Sequence, residues 1–188
     1  GVRSDAFKAA MARESAYFNA HPYLTSVAIG ALAKAELSGV PPERIERFRT
    51  ALCGPLGIGL DPGGDPGSGM HASLGDVLAF GHELLVPRLV ADETRDEMIG
   101  VQFPGLSGVL PDCGRFDPLD WGLGVQLNTS PPSWMGSRTS NRTFGHFGGS
   151  GTFLWVDPEA HVVCAALTTR AFGDWAKTAW PRFSNAVL

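Results

Sequence analysis

Lysine is scarce in this 188-residue chain, which has only Lys8, Lys34 and Lys177. With a net charge of −4 there is no basic stripe to neutralise phosphates, so no nucleic-acid partner is expected. Cysteine is scarce too. Cys53, Cys113 and Cys164 are an odd number without metal-ligand spacing, and read as buried free thiols that suit a reducing cytoplasm. No stretch reaches the roughly 18 apolar residues that a membrane span requires. The longest candidate, 23–35, is interrupted by Thr25, Ser26 and Lys34. His21, His71, His82 and His161 lack paired metal-ligand spacing, and Asp112, Asp117 and Asp120 lack calcium-loop periodicity, so no metal or other cofactor is expected. A Gly-x-Ser-x-Gly nucleophile elbow is also missing: Ser68, Ser107 and Ser150 sit beside glycines but without the right flanks. The chain starts at Gly1 without methionine or a signal-peptide pattern, and reads as part of a longer gene product.

What is present is enough for a packed core. Hydrophobic residues make up 44% and charged ones only 18%, which argues for one domain, or one and a piece of another. Residues 1–57 read as a helical segment. A first helix is capped at Ser4 or Asp5 and ends near His21-Pro22, and a second covers 24–37. A third opens at Pro41-Pro42 and carries Ile45, Phe48 and Leu52. Residues 58–69, rich in glycine and proline, read as a linker or junction. From residue 70 the pattern changes again. Ser73-Leu74-Gly75-Asp76 resembles a capping box and opens a helix through Leu85, with Val77, Leu78, Phe80, Leu84 and Leu85 as its buried face. A short helix is expected from Asp92 to about Ile99, then loop over 101–118.

The remainder predicts antiparallel sheet. Strands are expected at 121–127, broken by Gly122 and Gly124, and at 143–147, 151–156 and 161–168, with a polar connection at 129–141 and a turn at Asp157-Pro158-Glu159-Ala160. A final helix starts at Asp174 and carries Trp175, Trp180, Phe183 and Val187, with a bend at Pro181.

One stretch carries chemistry. His146-Phe147-Gly148-Gly149-Ser150-Gly151 sets a titratable side chain before closely spaced glycines, and an apolar strand follows. Glycines there allow close backbone approach to a ligand and can expose N–H groups to a developing negative charge. A tight β-turn with a surface histidine is the alternative. The stretch resembles the third active-site motif of the serine β-lactamase and penicillin-binding-protein family, whose esterase and class C-like branches have His-x-Gly for Lys-Thr-Gly. Three further landmarks occur in the family's order: Gly69 to Phe80, Asp120-Trp121-Gly122-Leu123-Gly124, and Val156-Asp157-Pro158. The resemblance covers about 67–188. It implies an α/β (α+β) fold of the β-lactamase and transpeptidase type, with an antiparallel sheet packed by helices. It further implies a Gly149 N–H in the oxyanion hole, a substrate-binding turn of Gly148, Gly149, Ser150 and Gly151, and His146 as polariser or substrate-carboxylate partner.

The N-terminal third supports two resemblances. Tyr17-Phe18-Asn19 matches the family's Tyr-x-Asn motif, which would make Tyr17 a proton-transfer residue and Asn19 a substrate contact. A helical packing role for both is the alternative. Tyr17 to Tyr23, Gly30, Glu36 and Ala51 to Gly57 also look like the IID component of the mannose-type sugar phosphotransferase system, implying an interaction piece connected with sugar transport.

The family reading implies acyl transfer on a small-molecule ester, amide or β-lactam. Its nucleophile motif, Ser-x-x-Lys, is nowhere in the 188 residues, so the isolated chain is expected to hydrolyse weakly or not at all. A non-catalytic binding module is the other class. Self-association through an uncovered sheet edge or apolar face is a further expectation.

Overall fold

The computed structural model describes residues 46, 49–59, 71–110 and 113–188. Tyr17, Asn19, the first two expected helices and almost all of the 58–69 junction lie outside these residues. Of the third expected helix, Arg49–Cys53 is a π-helical turn, continued by the short helix α1 (Gly54–Leu56). Then follow α2 (Leu74–Leu85), α3 (Asp92–Ile99), β1 (Gly108–Leu110), β2 (Gly114–Phe116) and β3 (Gln126–Leu127). β4 (Phe144–Gly148), β5 (Thr152–Asp157), β6 (Val162–Ala166) and α4 (Asp174–Val187) complete the order. No described helix is long and apolar enough to cross a membrane.

The main sheet is antiparallel, in the order β3-β4-β5-β6, and helices cover both faces. Strand alternation sorts the side chains. Phe153, Trp155 and Cys164 face a core shared with Trp134, Met135 and the α4 residues Ala176 and Trp180. Phe144 and Val156 face the other way, with Val125, and meet Leu84 and Leu85 of α2 and Ile99 of α3. Burial pushes the Cys164 thiol up to about 11, which makes it a poor nucleophile.

The capping box forms as its spacing predicts. Ser73 Oγ accepts from Asp76 N, and Asp76 Oδ2 accepts from Ser73 N at 3.0 Å. The buried face of α2 differs from the expected one. Leu78 is exposed, Val77, Phe80, Leu84 and Leu85 are half-buried, and the buried positions are Gly81 and Glu83. Gly81 is where α2 lies closest to the sheet: a Cβ there would collide with Val163 Cγ1 and stand 2.9 Å from Leu154 Cδ1. Glu83 turns inward because its Oε1 accepts from Arg88 N at 2.7 Å and Leu89 N at 2.6 Å, which fixes the chain leaving the helix.

Three further expectations are corrected. Residues 101–118 are not all loop, since Gly108 to Leu110 and Gly114 to Phe116 pair as a hairpin. The expected strand at 121–127 is mostly turn. Trp121 bridges to Gln126, Gly122 N donates to Val125 O, and the chain reverses at Gly124, whose φ of +81° favours glycine. The Ser- and Pro-rich connection at 129–141 is not merely a solvated loop, because Trp134 and Met135 at its centre are core. Trp134 Nε1 donates to Gln126 Oε1 at 2.8 Å, and Asn185 Oδ1 of α4 accepts from Ser137 N and Arg138 N. The last helix starts at Asp174 and runs through Pro181, but it buries Ala176, Trp180 and Ser184 and leaves Phe183 and Val187 exposed.

Asp157 closes β5 and holds two segments together. Its carboxylate accepts from Ser140 N and Oγ at 2.7 Å each, and from Glu159 N and Ala160 N at 3.1 Å each. Burial alone pushes its pKa up, but the hydrogen bonds from Ser140 and Ala160 outweigh that and hold it below the usual 3.8.

Two measurements test this packing. Gly81→Ala gains helix propensity of about 1 kcal/mol but overpacks the sheet by about 1–3 kcal/mol, so urea denaturation should show net destabilisation. Adding Val163→Ala should cost less than the sum of the two single changes. Asp157→Asn leaves buried donors facing an amide and should cost about 3 kcal/mol near neutrality. The folded pKa is depressed, so the carboxylate's contribution is complete above the unfolded value and disappears as pH falls through the folded one. The variant's stability should therefore fall less below pH 4 than the parent's, as thermal melts across pH would show.

Candidate active site

β4 is paired along its whole length on one side only. β5 pairs it from Phe144 to Gly148, whereas β3 reaches only Phe144 and Gly145. From His146 onward, that second edge has no strand partner among the described residues. Asn128 N donates to Thr143 O, so the backbone groups of Thr143 point to the β3 side. The two-residue repeat then turns those of Gly145 and Phe147 the same way.

The turn beyond β4 owes its shape to particular glycines. Gly151 N donates to Gly148 O at 3.0 Å, and Gly151 has φ +84°. A Cβ on Gly151 would collide with Arg170 O, so this glycine is required twice over. A Cβ added at Gly149 would meet nothing within 4 Å, so the fold does not require a glycine there on steric grounds.

A strap from the end of β6 holds the turn. Thr168 Oγ1 lies 2.8 Å from Gly151 O, and Phe172 N donates to Gly149 O at 3.0 Å. The Phe172 ring stacks 4.8 Å from that of Phe147, centroid to centroid. Nothing in the sequence pattern at 167–172 marked these residues. They act through contacts that only the folded chain creates.

His146 stands on β4 opposite Leu154, with its side chain exposed. Its Nδ1 is 2.7 Å from Phe147 O, and Trp121 packs against its ring edge-on at 5.5 Å. Desolvation by the surrounding protein lowers its pKa below the ordinary 6.5, and the Phe147 carbonyl offsets part of that shift. Exposure and desolvation pull against each other here. The exposed surface is that of the whole residue, and the crowding around it sets the direction of the shift, toward the neutral imidazole.

Ser150 does not meet His146. Its Oγ is exposed and pairs with Thr152 Oγ1 at 3.1 Å, the arrangement of a turn serine. Asp120 precedes the His146-contacting Trp121, and its Oδ1 is buried without a hydrogen-bond partner among the described residues. His82 lies exposed on α2, and His161 occupies the left-handed region at φ +55°. No group of three or more His, Cys, Asp or Glu among the described residues is placed to hold a metal.

An antiparallel sheet between helix layers, with one central strand edge left open beside a glycine turn, is the transpeptidase-like α/β architecture. The chain belongs to the β-lactamase family, whose family model matches residues 9–186. Among solved structures it is similar to a β-lactamase from Mycobacterium bovis, with 41% identity and a TM-score of 0.76, over 87% of this chain and 62% of that one. It is also similar in fold to the LovD9 mutant of simvastatin synthase from Aspergillus terreus, with 16% identity and a TM-score of 0.60, over 76% of this chain and 48% of that one. The chain therefore spans less than two thirds of either protein's length. Comparison with curated proteins gave no significant match. The family match includes the N-terminal third, so one family accounts for both parts of the chain, and the resemblance to a phosphotransferase component has no support.

The two glycines of the turn should behave differently. Gly151→Ala should destabilise the fold by about 1–3 kcal/mol through strain and collision, whereas Gly149→Ala should stay within about 0.5 kcal/mol of the parent. Chemical denaturation of both variants checks this.

Proposed function

We propose that this chain supplies the oxyanion side of an acyl-transfer cleft for small-molecule esters, amides or β-lactams. In this reading the Gly149 N–H receives the developing oxyanion, and His146 contacts the substrate beside it. The open β4 edge carries the proposal, because from His146 onward it has no strand partner among the described residues and it runs into the turn that holds Gly149, where an added Cβ would meet nothing within 4 Å. An oxyanion donor of this kind contributes about 3–4 kcal/mol to the transition state. Tyr17 and Asn19 are the proposed proton-transfer and substrate-contact residues.

The 188 residues by themselves carry no Ser-x-x-Lys, so neither the family's nucleophile nor its activating lysine is present. Loss of such a nucleophile leaves only the roughly 10³–10⁴-fold acceleration that binding and the oxyanion hole supply. Hydrolysis by the isolated chain is accordingly weak or absent. A binding role is the second reading, favoured by the exposed His146 next to the open edge.

Steady-state turnover of a chromogenic β-lactam and a short-chain nitrophenyl ester tests the first reading. Negligible turnover is expected, together with no covalent adduct in the intact mass after exposure to a fluorophosphonate or a penicillin. Efficient turnover, or a stoichiometric adduct on a mapped serine, would show an activated nucleophile and refute it. Saturable β-lactam binding without turnover would favour the binding role.

A further inference from the structure

We propose that His146 presents an unprotonated Nε2 to the cleft, and so selects substrates that offer it a hydrogen-bond donor rather than a carboxylate. The inference rests on the cleft reading above, and deepens it by naming a substrate class.

The geometry of one hydrogen bond carries the argument. His146 Nδ1 lies 2.7 Å from Phe147 O, and a carbonyl oxygen can only accept, so the proton is on Nδ1. A neutral imidazole has one such proton, which leaves Nε2 as a bare acceptor. No hydrogen bond reaches Nε2 among the described residues. Trp121 packs edge-on against the ring and limits its reorientation. The depressed basicity of His146 is consistent with a neutral ring.

A lysine or an imidazolium at this place would pair with a carboxylate. A neutral imidazole with its lone pair outward repels one, and instead accepts from a hydroxyl, an amine or an amide N–H. The side chain stands on the face of β4 opposite the aromatic core, on the strand that runs into the turn holding Gly149. A ligand whose acyl oxygen approached Gly149 would therefore bring a neighbouring substituent within range of His146.

Two measurements on the 188-residue protein test this. Long-range proton–nitrogen correlation NMR at pH 7.5 should show a protonated Nδ1 and a bare Nε2. A protonated Nε2, whether as the other tautomer or as imidazolium, overturns the proposal. This arm needs no ligand, so it separates failure here from failure of the cleft reading. The second arm compares dissociation constants of benzylpenicillin and of its analogue with the ring carboxylate replaced by a primary carboxamide. The carboxamide should bind roughly tenfold tighter, about the value of one good hydrogen bond. His146→Lys, shown to be folded by its melting midpoint, should reverse the order. Equal affinity, preference for the carboxylate, or binding of neither compound by the parent protein defeats the selectivity claim.

Discussion

The candidate site depends on where Phe147 sits. Its ring lies 4.8 Å from Phe172, 5.5 Å from Trp134 and 5.8 Å from Trp180, within a cluster that also holds Phe153. Each such aromatic pair contributes about 0.5–1.5 kcal/mol beyond the area it buries, so the register of β4 is strongly specified. Strand alternation does the rest. With Phe147 in the core, His146 must emerge on the other face. A slip of one residue would bury the histidine and expose the phenylalanine. Phe172 links the same cluster to the glycine turn, because its ring meets Phe147 while its N–H holds Gly149 O. Core packing and site geometry are thus fixed by the same contacts.

The parts that could be read from the sequence are those decided locally. The Ser73–Asp76 capping box, the short helix from Asp92, the 152–166 hairpin and the helix start at Asp174 all follow from neighbours within a few residues. His146 and its glycines stood out for the same reason. The failures involve distant partners. Gly81 was not among the residues expected on the buried face of its helix, but it is the contact point with Val163, which is 82 positions away in sequence. Trp134 and Met135 sat among serines and prolines, yet the sheet and α4 bury them. At 121–127 the break expected at Gly122 and Gly124 goes further than a broken strand, because the left-handed backbone of Gly124 reverses the chain.

The same distinction separates the glycines of the motif. Sequence alone treats Gly148, Gly149 and Gly151 as equivalent signals of close backbone approach. In the fold, Gly151 satisfies a conformational and steric demand at Arg170 O, and Gly148 is crowded by Thr152 Oγ1 at 3.2 Å. Gly149 answers no such demand. A position where the fold does not demand a glycine, next to a strand edge without a strand partner among the described residues, is where a ligand requirement can explain the geometry. The strap of Thr168 and Phe172 supports this view, since it orders a turn at whose Gly149 an added Cβ would meet nothing within 4 Å.

The energetic scales decide what such a half-cleft can do. A preorganised backbone donor is worth a few kcal/mol, enough to bind and polarise an acyl group. An activated serine and its base contribute about 10⁶-fold in rate, which corresponds to roughly 8 kcal/mol, and no arrangement of donors replaces it. On the proposed reading Gly149 supplies the first of these elements, and the 188-residue sequence lacks the motif for the second. Ser150 shows that the shortfall is chemical as well as formal. It is close to His146 in sequence, but its hydroxyl is paired with Thr152, and the histidine proton is directed at Phe147 O. The neutral, outward-facing imidazole acceptor proposed for His146, together with a fixed backbone turn, is the equipment of recognition. Turnover needs a nucleophile brought to the same edge.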